Sequence, residues 1–439
     1  MRVKWFIGFV LWTIVSTGLV RAQEAQKPLT LDESIKIAME RSLTIHSSVL
    51  GIEGSEYVRK GAITNFLPQA TGTYTGTRYS APLVVGTTPI SIPGVPSVST
   101  SRNIYRLNST ATQPLFTGGF NLATYRTAKI GVDLSKESLE TAKLDLILQV
   151  RVGYFTTLRA EKFLVVAQQQ VEQFQAQLEV TKSFFDVGLV PKNDVLLAEV
   201  NLANARQSLV KAANDLATAK ASFNILLRRD IDTPFEVVDI LTYKAFLLSY
   251  GESLNEAFRL RPEIKTAQLN IDQAKESVKI AAAGFFPTFN LVGAYNRNSS
   301  EAELGMFRTR GWSIGTTATM TLWNWGNTAF QVGANRVKVK QAEDAKTQLM
   351  ESITLEVKDD YLNMQVAEKN IKVAETAIEQ AQENLRMTEE RYKYQVATQT
   401  DVVIAVTTLT QASTNYYGAL SDFNVAKAQL ERGMGRMYP

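Results

Sequence analysis

The chain has 439 residues, with 47 Lys and Arg, 43 Asp and Glu, one His and no Cys. The absence of Cys excludes a disulfide framework, thiolate metal sites and attachment of an acyl chain to an N-terminal Cys. With no Cys and one His, the chain has almost no residues for the commonest catalytic nucleophile and base pairs, which argues against an enzyme. We interpret this residue, His46, as ordinary packing or surface in an amphipathic helix, and we expect no cofactor and no metal.

Residues 1–22 have the pattern of a signal peptide. Arg2 and Lys4 form a positive start, an apolar run follows, and Ala22 ends a small-residue cleavage pattern. An uncleaved anchor is the alternative, but an apolar run of about sixteen residues is short for a bilayer-spanning helix. The segment holds three basic residues and no acid, which leaves 44 basic against 43 acidic residues. The basic pI therefore predicts no nucleic-acid partner.

An internal repeat divides the mature chain into two halves. Residues 115–226 match residues 322–433 at a constant offset of 207, and upstream the offset is 219, as between Pro68 and Pro287. The change between the two offsets falls near residues 81–100. These residues are rich in Pro, Gly, Ser and Thr, which predicts a longer surface loop. The predicted division is a signal peptide 1–22, helix 23–65, β-hairpin 66–116, helix-turn-helix 117–228, linker 229–251, helix 252–284, β-hairpin 285–323, helix-turn-helix 324–432 and tail 433–439.

The helices before the strands are predicted over about residues 31–60 and 253–283. The strands are predicted over residues 66–80 with 105–116, and 286–298 with 311–323. Apolar and hydroxyl side chains alternate along strands of about ten residues, which is typical of a transmembrane barrel and also of a soluble half-buried hairpin. Aromatic residues near the strand ends favour two interfacial girdles over core packing: Phe66, Tyr105, Phe116, Phe286, Tyr295, Trp312, Trp323 and Trp325.

Four strands cannot close a barrel. Unpaired backbone groups at an open sheet edge in a bilayer each cost several kcal/mol, so the chain must oligomerise. Two chains would give eight strands and a filled interior, whereas three would give twelve strands and room for water. The sequence alone does not give the number of subunits, but a conducting pore needs at least three.

Each hairpin leads into a helix of about sixty residues, roughly 90 to 100 Å long. The returning helices, of about thirty-five residues, carry seven-residue repeats in which large residues alternate with Ala, as in Leu202 and Ala205. Such a seam allows helix backbones to approach closely, and it also fits a coiled coil without a channel. We expect the helices before the strands to stack end to end on the returning helices.

Two motifs, together with the tandem halves, identify a family resemblance. The first is Pro114-Leu115-Phe116-Thr117-Gly118-Gly119 before the long helix, and the second is Val187-Gly188-Leu189-Val190-Pro191-Lys192-Asn193-Asp194-Val195 at the helix-turn-helix. Over essentially the whole mature chain, the sequence resembles the TolC-like outer-membrane efflux proteins. The resemblance implies a homotrimer with a twelve-stranded barrel in outer-membrane lipid and a gated α-helical tunnel in the periplasm. It also implies a periplasmic adaptor and an inner-membrane pump of the RND, ABC or MFS type.

The resemblance implies that Asp194, Tyr392 and Asp401 belong to a polar gate at the periplasmic entrance. Two positions depart from the family pattern, because Ala397 stands where the gate has Arg and Ile404 stands at a second acidic position. On physical grounds, carboxylates gathered on a symmetry axis attract cations. Helix N-capping is the alternative role for both Asp residues, and the two roles are compatible.

The tip between the long and returning helices is the expected adaptor-docking site. Its residues are Gly188, which we predict to end the first long helix, with Leu189, Lys192 and Gln399. The function expected from the resemblance is a passive exit duct of a tripartite efflux or type I secretion system. A trimeric adhesive or structural coiled coil with a β-barrel anchor is the alternative, although it predicts one terminal anchor and not a strand pair inside each repeat.

Overall fold

A computed structural model describes residues 28–81, 102–300 and 309–436. The expected signal peptide and nearly all of the expected loop at residues 81–100 lie outside these ranges. The first half contains α1 (Leu31–Arg41), α2 (Leu43–Thr64), β1 (Gln69–Arg78), β2 (Asn103–Phe116), α3 (Phe120–Asp186) and α4 (Lys192–Leu226). The second contains α5 (Tyr250–Leu260), α6 (Pro262–Ala282), β3 (Thr288–Ser300), β4 (Thr309–Thr319), α7 (Asn327–Lys393) and α8 (Gln399–Gly433).

The element boundaries confirm the repeat. Both ends of α3 and α7, and both ends of α4 and α8, differ by the predicted offset of 207. Each long helix has 67 residues and each returning helix has 35. Among the described residues, no α-helix combines the length and the apolar character needed to cross a bilayer.

The prediction of one continuous helix before each hairpin is wrong. A break at Ser42 separates α1 from α2, and a break at Arg261 separates α5 from α6, with both residues in extended backbone. Pro262 explains the second break, because proline disfavours helical backbone at the preceding residue and has no N–H to donate. At the first break, the Ser42 hydroxyl accepts a hydrogen bond of 3.3 Å from the backbone N–H of Ile45 and caps α2.

The four strands form one antiparallel sheet in the order β1-β2-β3-β4, so β2 and β3 join the two halves. The observed β4 ends at Thr319, short of the predicted Trp323. Trp323 and Trp325 therefore lie beyond the sheet, where their exposed rings contact each other with centroids 5.7 Å apart. Among the described residues, β1 and β4 each have a strand partner on one side, which leaves two open edges.

The register separates the sheet into an apolar and a polar face, because residues opposite each other on paired strands share a face. Apolar and aromatic side chains dominate one face: Ala70, Tyr74, Leu107, Ala111, Phe289, Leu291, Tyr295, Trp312 and Ile314. Hydroxyl and amide side chains dominate the other: Thr71, Thr73, Thr75, Asn108, Thr110, Thr112, Asn290, Asn296, Ser313 and Thr317. The alternation predicted along the fourth strand is confirmed.

The helices pack in two tiers along α3 and α7. In the tier near the sheet, α2 and α6 contact α3, and α6 also contacts α7. In the far tier, α4 and α8 contact α3, and α8 also contacts α7. The Arg261 Nη1 donates a hydrogen bond of 3.4 Å to the Gly433 carbonyl, so α8 ends where α6 begins. This contact confirms the predicted end-to-end stacking in the second half.

A buried ionic cluster joins the two tiers. Arg261 is 4% exposed and pairs with Glu356 on α7 at 2.7 Å and with Glu263 on α6 at 3.1 Å. Arg432 on α8 pairs with Asp145 on α3 at 2.8 Å and with Glu263 at 3.0 Å. A buried charge that loses its partner destabilises a fold strongly. The cluster therefore fixes four helices in one relative position.

Asp360 on α7 is the carboxylate in this region whose burial is least compensated. A Cβ at Gly433 would lie 3.0 Å from Asp360 Oδ2, and burial, followed by repulsion from Glu356, raises the pKa of Asp360 to about 6. The ordinary value is 3.8, so the folded state binds a proton more tightly than the unfolded state. Stability therefore falls as pH rises from about 4 to about 6, and it stays lowered above that range.

We expect Asp360→Asn to stabilise the protein at neutral pH by about 1–2 kcal/mol, because an amide has no charge to desolvate. The measurement is the thermal unfolding midpoint in detergent across pH 4 to 8, followed by helical circular dichroism. The advantage of the variant should shrink toward pH 4, where the wild-type carboxyl is protonated. Glu351→Gln, at an exposed position of the same helix, is the control. An equal gain at every pH would contradict the prediction.

Candidate functional site

The ends of the two helical hairpins farthest from the sheet form the candidate site. α3 turns into α4 through residues 187–191, and α7 turns into α8 through residues 394–398. The two ends meet in an apolar cluster that includes Phe174, Val195, Leu202, Tyr392 and Val402. The hairpin tips of the two halves are therefore in direct contact within one chain.

The two turns share one backbone design. Gly188 has a φ of +76°, and the N–H groups of Gly188 and Leu189 donate to the carbonyls of Phe185 and Phe184 at 2.9 and 2.8 Å. This is the arrangement that commonly ends a helix at a left-handed residue, and it confirms that Gly188 terminates the first long helix. The second turn has the equivalent hydrogen bonds, but a non-glycine residue, Gln395, occupies the left-handed position with a φ of +60°.

The returning helices begin with different caps. Thr398 caps α8, and Asp401 accepts hydrogen bonds of 2.8 Å from both the backbone N–H and the hydroxyl of Thr398. These bonds lower the pKa of Asp401. Pro191 precedes α4 and has no N–H to donate, so Asp194 cannot close the equivalent box. Each Asp is thus the third residue of its helix, and the N-cap position considered for both is wrong.

Four uncharged polar side chains connect the tips next to the apolar cluster, and one of them, Tyr392, is also part of it. The Gln399 Oε1 accepts hydrogen bonds from Gln177 Nε2 at 2.6 Å and from the Thr181 hydroxyl at 3.0 Å. The hydroxyls of Thr181 and Tyr392 lie 3.3 Å apart. We call Gln177, Thr181, Tyr392 and Gln399 the tip network. It joins α3 to both helices of the second hairpin without any charged group.

The surroundings keep the network neutral. Tyr392 is 4% exposed, and burial, with a smaller contribution from the nearby Asp194, raises the pKa of its phenol. The amide Nε2 of Gln399 is buried without a hydrogen-bond partner in the described part of the chain. Such an unmet donor costs roughly 1–3 kcal/mol. The network therefore holds the tips together while leaving one polar group unsatisfied.

The predicted site residues divide into two groups. Tyr392 is in the network and Asp194 is half-buried near it, while Asp401 is exposed in the α8 cap. Gly188, Leu189 and Lys192 are exposed, as expected of a tip surface. The expectation that Gln399 is exposed is wrong: it is 3% exposed because it points back from the start of α8 into the network.

Sequence reasoning missed the network partners on α3. Gln177 lies among the apolar seam residues of the long helix, and it is buried at 7% exposure. A polar residue on such a seam is a signal for a buried hydrogen bond. Thr181 fits the pattern of small residues along the seam, and that pattern gives no signal for a hydrogen bond from its hydroxyl.

The sequence matches the family described as "Outer membrane efflux protein" over residues 35–227 and 253–436. The chain therefore belongs to the outer membrane efflux protein family. It is an outer-membrane protein whose long helices form a periplasmic tunnel, and its family consists of efflux channels.

Individual relatives have low sequence identity to this chain, but they align with most of its length. Outer membrane protein TolC of Vibrio cholerae is 25% identical over 307 residues, which cover 66% of this chain and 68% of that protein. Outer membrane efflux protein BepC of Brucella suis is 21% identical over 428 residues, or 97% and 89% of the two chains. The crystal structure of the Campylobacter jejuni CmeC outer membrane channel has a TM-score of 0.77 at 16% identity, covering 98% of this chain and 94% of that one.

We expect Gln395→Gly to stabilise the second tip turn by about 0.5–1 kcal/mol, because glycine avoids the left-handed strain and loses part of that gain to chain entropy. The readout is the thermal unfolding midpoint of the purified protein in detergent. Gly188→Ala is the matched substitution in the other turn and should lower the midpoint. A lower midpoint for Gln395→Gly would show that its side chain contributes more than its backbone costs.

Proposed function

We propose that this chain forms a homotrimeric exit duct, which conducts substrates passively from an inner-membrane pump and a periplasmic adaptor to the cell exterior. One observation carries the proposal. The main contacts between the two halves are those of β2 with β3 and of α3 with α6 and α8, and the elements of the equivalent pairs, at the two sides of the chain, lack such a partner among the described residues. A second and a third copy can repeat these contacts until the ring closes.

The sheet edges give the first of these pairs. Within the chain, β2 of the first half pairs with β3 of the second. The equivalent contact pairs β4 with β1 of the next chain, since these are the two open edges. Three copies give twelve strands, which is wide enough for a water-filled interior. The hydroxyl and amide face would then line the channel, and the aromatic face would contact lipid.

The helices give the second pair. Within the chain, α3 contacts α6 near the sheet and α8 near the tips. By the repeat, α7 should contact α2 and α4 of the next chain in the same way. The uncovered sides of these helices carry exposed apolar residues, among them Phe330 on α7 at 74% exposure, Val58 on α2 and Val210 on α4. Burying them supplies a hydrophobic driving force for the ring.

The tip network is the candidate latch of the closed entrance. Its hydrogen bonds are neutral and modest in energy, so the hairpins can separate without leaving a charge buried and unpaired. This latch differs from an arginine-centred one, in accordance with Ala397 at the family's Arg position. Asp194 and Asp401 would place two carboxylates per chain at the entrance and favour cations.

The adaptor would dock on the exposed tip surface. Gly188, Leu189 and Lys192 combine an apolar side chain with a positive charge next to the entrance. Gln399, buried in the latch, is removed from this docking set. The pump then determines the substrate. For the duct itself, the sequence predicts a polar lumen and no substrate-binding site.

The test of the proposal is reconstitution of the purified full-length protein in planar bilayers. We expect a trimer by native mass spectrometry and rare, small, cation-preferring single-channel currents, because the entrance is closed at rest. A monomer, or a trimer that never conducts even when the tip network is removed, would contradict the duct and favour the adhesive or structural alternative.

We expect Tyr392→Phe to raise the open probability about fivefold, because it removes one hydrogen bond of about 1 kcal/mol from the closed state, and Thr181→Val to raise it further, because it removes two. Single-channel recording measures the effect. Ser183→Ala is the control, since the exposed Ser183 hydroxyl bonds only to its own helix, at the Glu179 carbonyl. Unchanged gating in both variants would exclude the tip network as the latch while leaving the duct intact.

A further inference from the structure

The sheet places two positive charges directly opposite each other. Arg297 on β3 is the register partner of Arg310 on β4, and both side chains are exposed. Like charges at directly opposed positions destabilise a strand pair. The arrangement is therefore unfavourable unless an anion lies between the two guanidinium groups.

The charged side chains of the described strands are all positive. The described strand residues include Arg78, Arg106, Arg297 and Arg310, and they include no Asp, Glu or Lys. The nearest acids after β3 along the chain are Glu301 and Glu303, which lie outside the described residues. No carboxylate of the described sheet can thus neutralise the Arg pair.

The pair lies on the apolar face of the sheet, just beyond an aromatic pair. Tyr295 and Trp312 are register partners two residues closer to the helices, and Trp312 is 78% exposed. Two strand residues correspond to about 6–7 Å. Exposed Tyr and Trp mark the boundary between hydrocarbon and headgroups, so the guanidinium groups reach the headgroup layer. Arg78 shares this face, whereas Arg106 lies on the opposite, polar face.

We propose that Arg297 and Arg310 bind the phosphate of an anionic membrane lipid at the outer rim of the barrel. A guanidinium group donates two parallel hydrogen bonds to phosphate oxygens, and two such groups can hold one phosphate between them. The adjacent Tyr295 and Trp312 supply an apolar surface for the acyl chains, which a free phosphate ion would not use. The inference rests on the proposed function only in that the apolar face of the sheet contacts lipid.

The experiment compares lipid binding by the intact protein and two charge variants. Full-length protein is reconstituted in phosphatidylcholine vesicles with or without phosphatidylglycerol, extracted in mild detergent, and analysed for retained lipid by native mass spectrometry. We expect Arg297→Gln with Arg310→Gln to weaken phosphatidylglycerol retention about ten- to thirtyfold. Arg106→Gln, which removes one charge from the opposite face, should leave retention unchanged.

A third charge variant guards against misfolding. Arg297→Lys with Arg310→Lys keeps the charge but loses the two-point geometry, so its retention should fall between those of the wild type and the Gln variant. Equal losses in the Arg106 variant, or displacement of the lipid by inorganic phosphate alone, would overturn the lipid site. Oligomeric state and conductance are recorded on the same samples, so failure of the lipid site is separable from failure of the duct.

Discussion

The unpaired edges of the four-stranded sheet are the constraint on which the rest of the structure depends. An open edge exposes backbone N–H and C=O groups that hydrocarbon cannot satisfy, so β1 and β4 require partners wherever the sheet meets lipid. The tandem repeat makes such partners available from copies of the same chain. Because β2–β3 already joins the halves, a β4–β1 contact of the same kind needs no new surface chemistry.

Polar interactions differ in kind between the middle of the helical part and its tips. Between the two tiers, Arg261 and Arg432 are held by carboxylates on several helices, and separating them would leave buried charges unpaired. At the tips, Thr181 and Gln399 use neutral hydrogen bonds of modest net energy. The same helices can therefore stay fixed along their length and still separate at the ends, which is what a gated tunnel requires.

The sequence predicted the elements well because the repeat constrained them twice. A helix proposed for one half had to fit the other at the same offset, which gave α3, α7 and both returning helices nearly correct limits. The breaks before α2 and α6 were missed for different reasons. Pro262 was a readable signal for the second, whereas Ser42 at the first break is a weaker signal, because Ser favours turns as well as helix starts.

The tips were harder to predict because their chemistry is tertiary. The burial of Gln399 depends on Gln177, more than two hundred residues earlier, and helical periodicity does not report on such a contact. Pairing along the sheet likewise decides that β4 ends at Thr319, although the alternation continues to Leu322. Local pattern fixes where an element begins and which face it buries, but the partner chosen across the fold decides where polar groups meet.

The divergence of the two halves at their tips has a consequence for the symmetry of the proposed ring. The long and returning helices of the two halves are equal in length, but the second-half network members Tyr392 and Gln399 correspond to Phe185 and Lys192 in the first half. Both of these are exposed in the single chain. In a closed trimer, neutral tip contacts within chains would alternate with between-chain contacts in which Phe185 and Lys192 cannot form the same network. Six similar hairpins would then form an entrance with threefold chemistry, and the within-chain and between-chain contacts could break in separate steps.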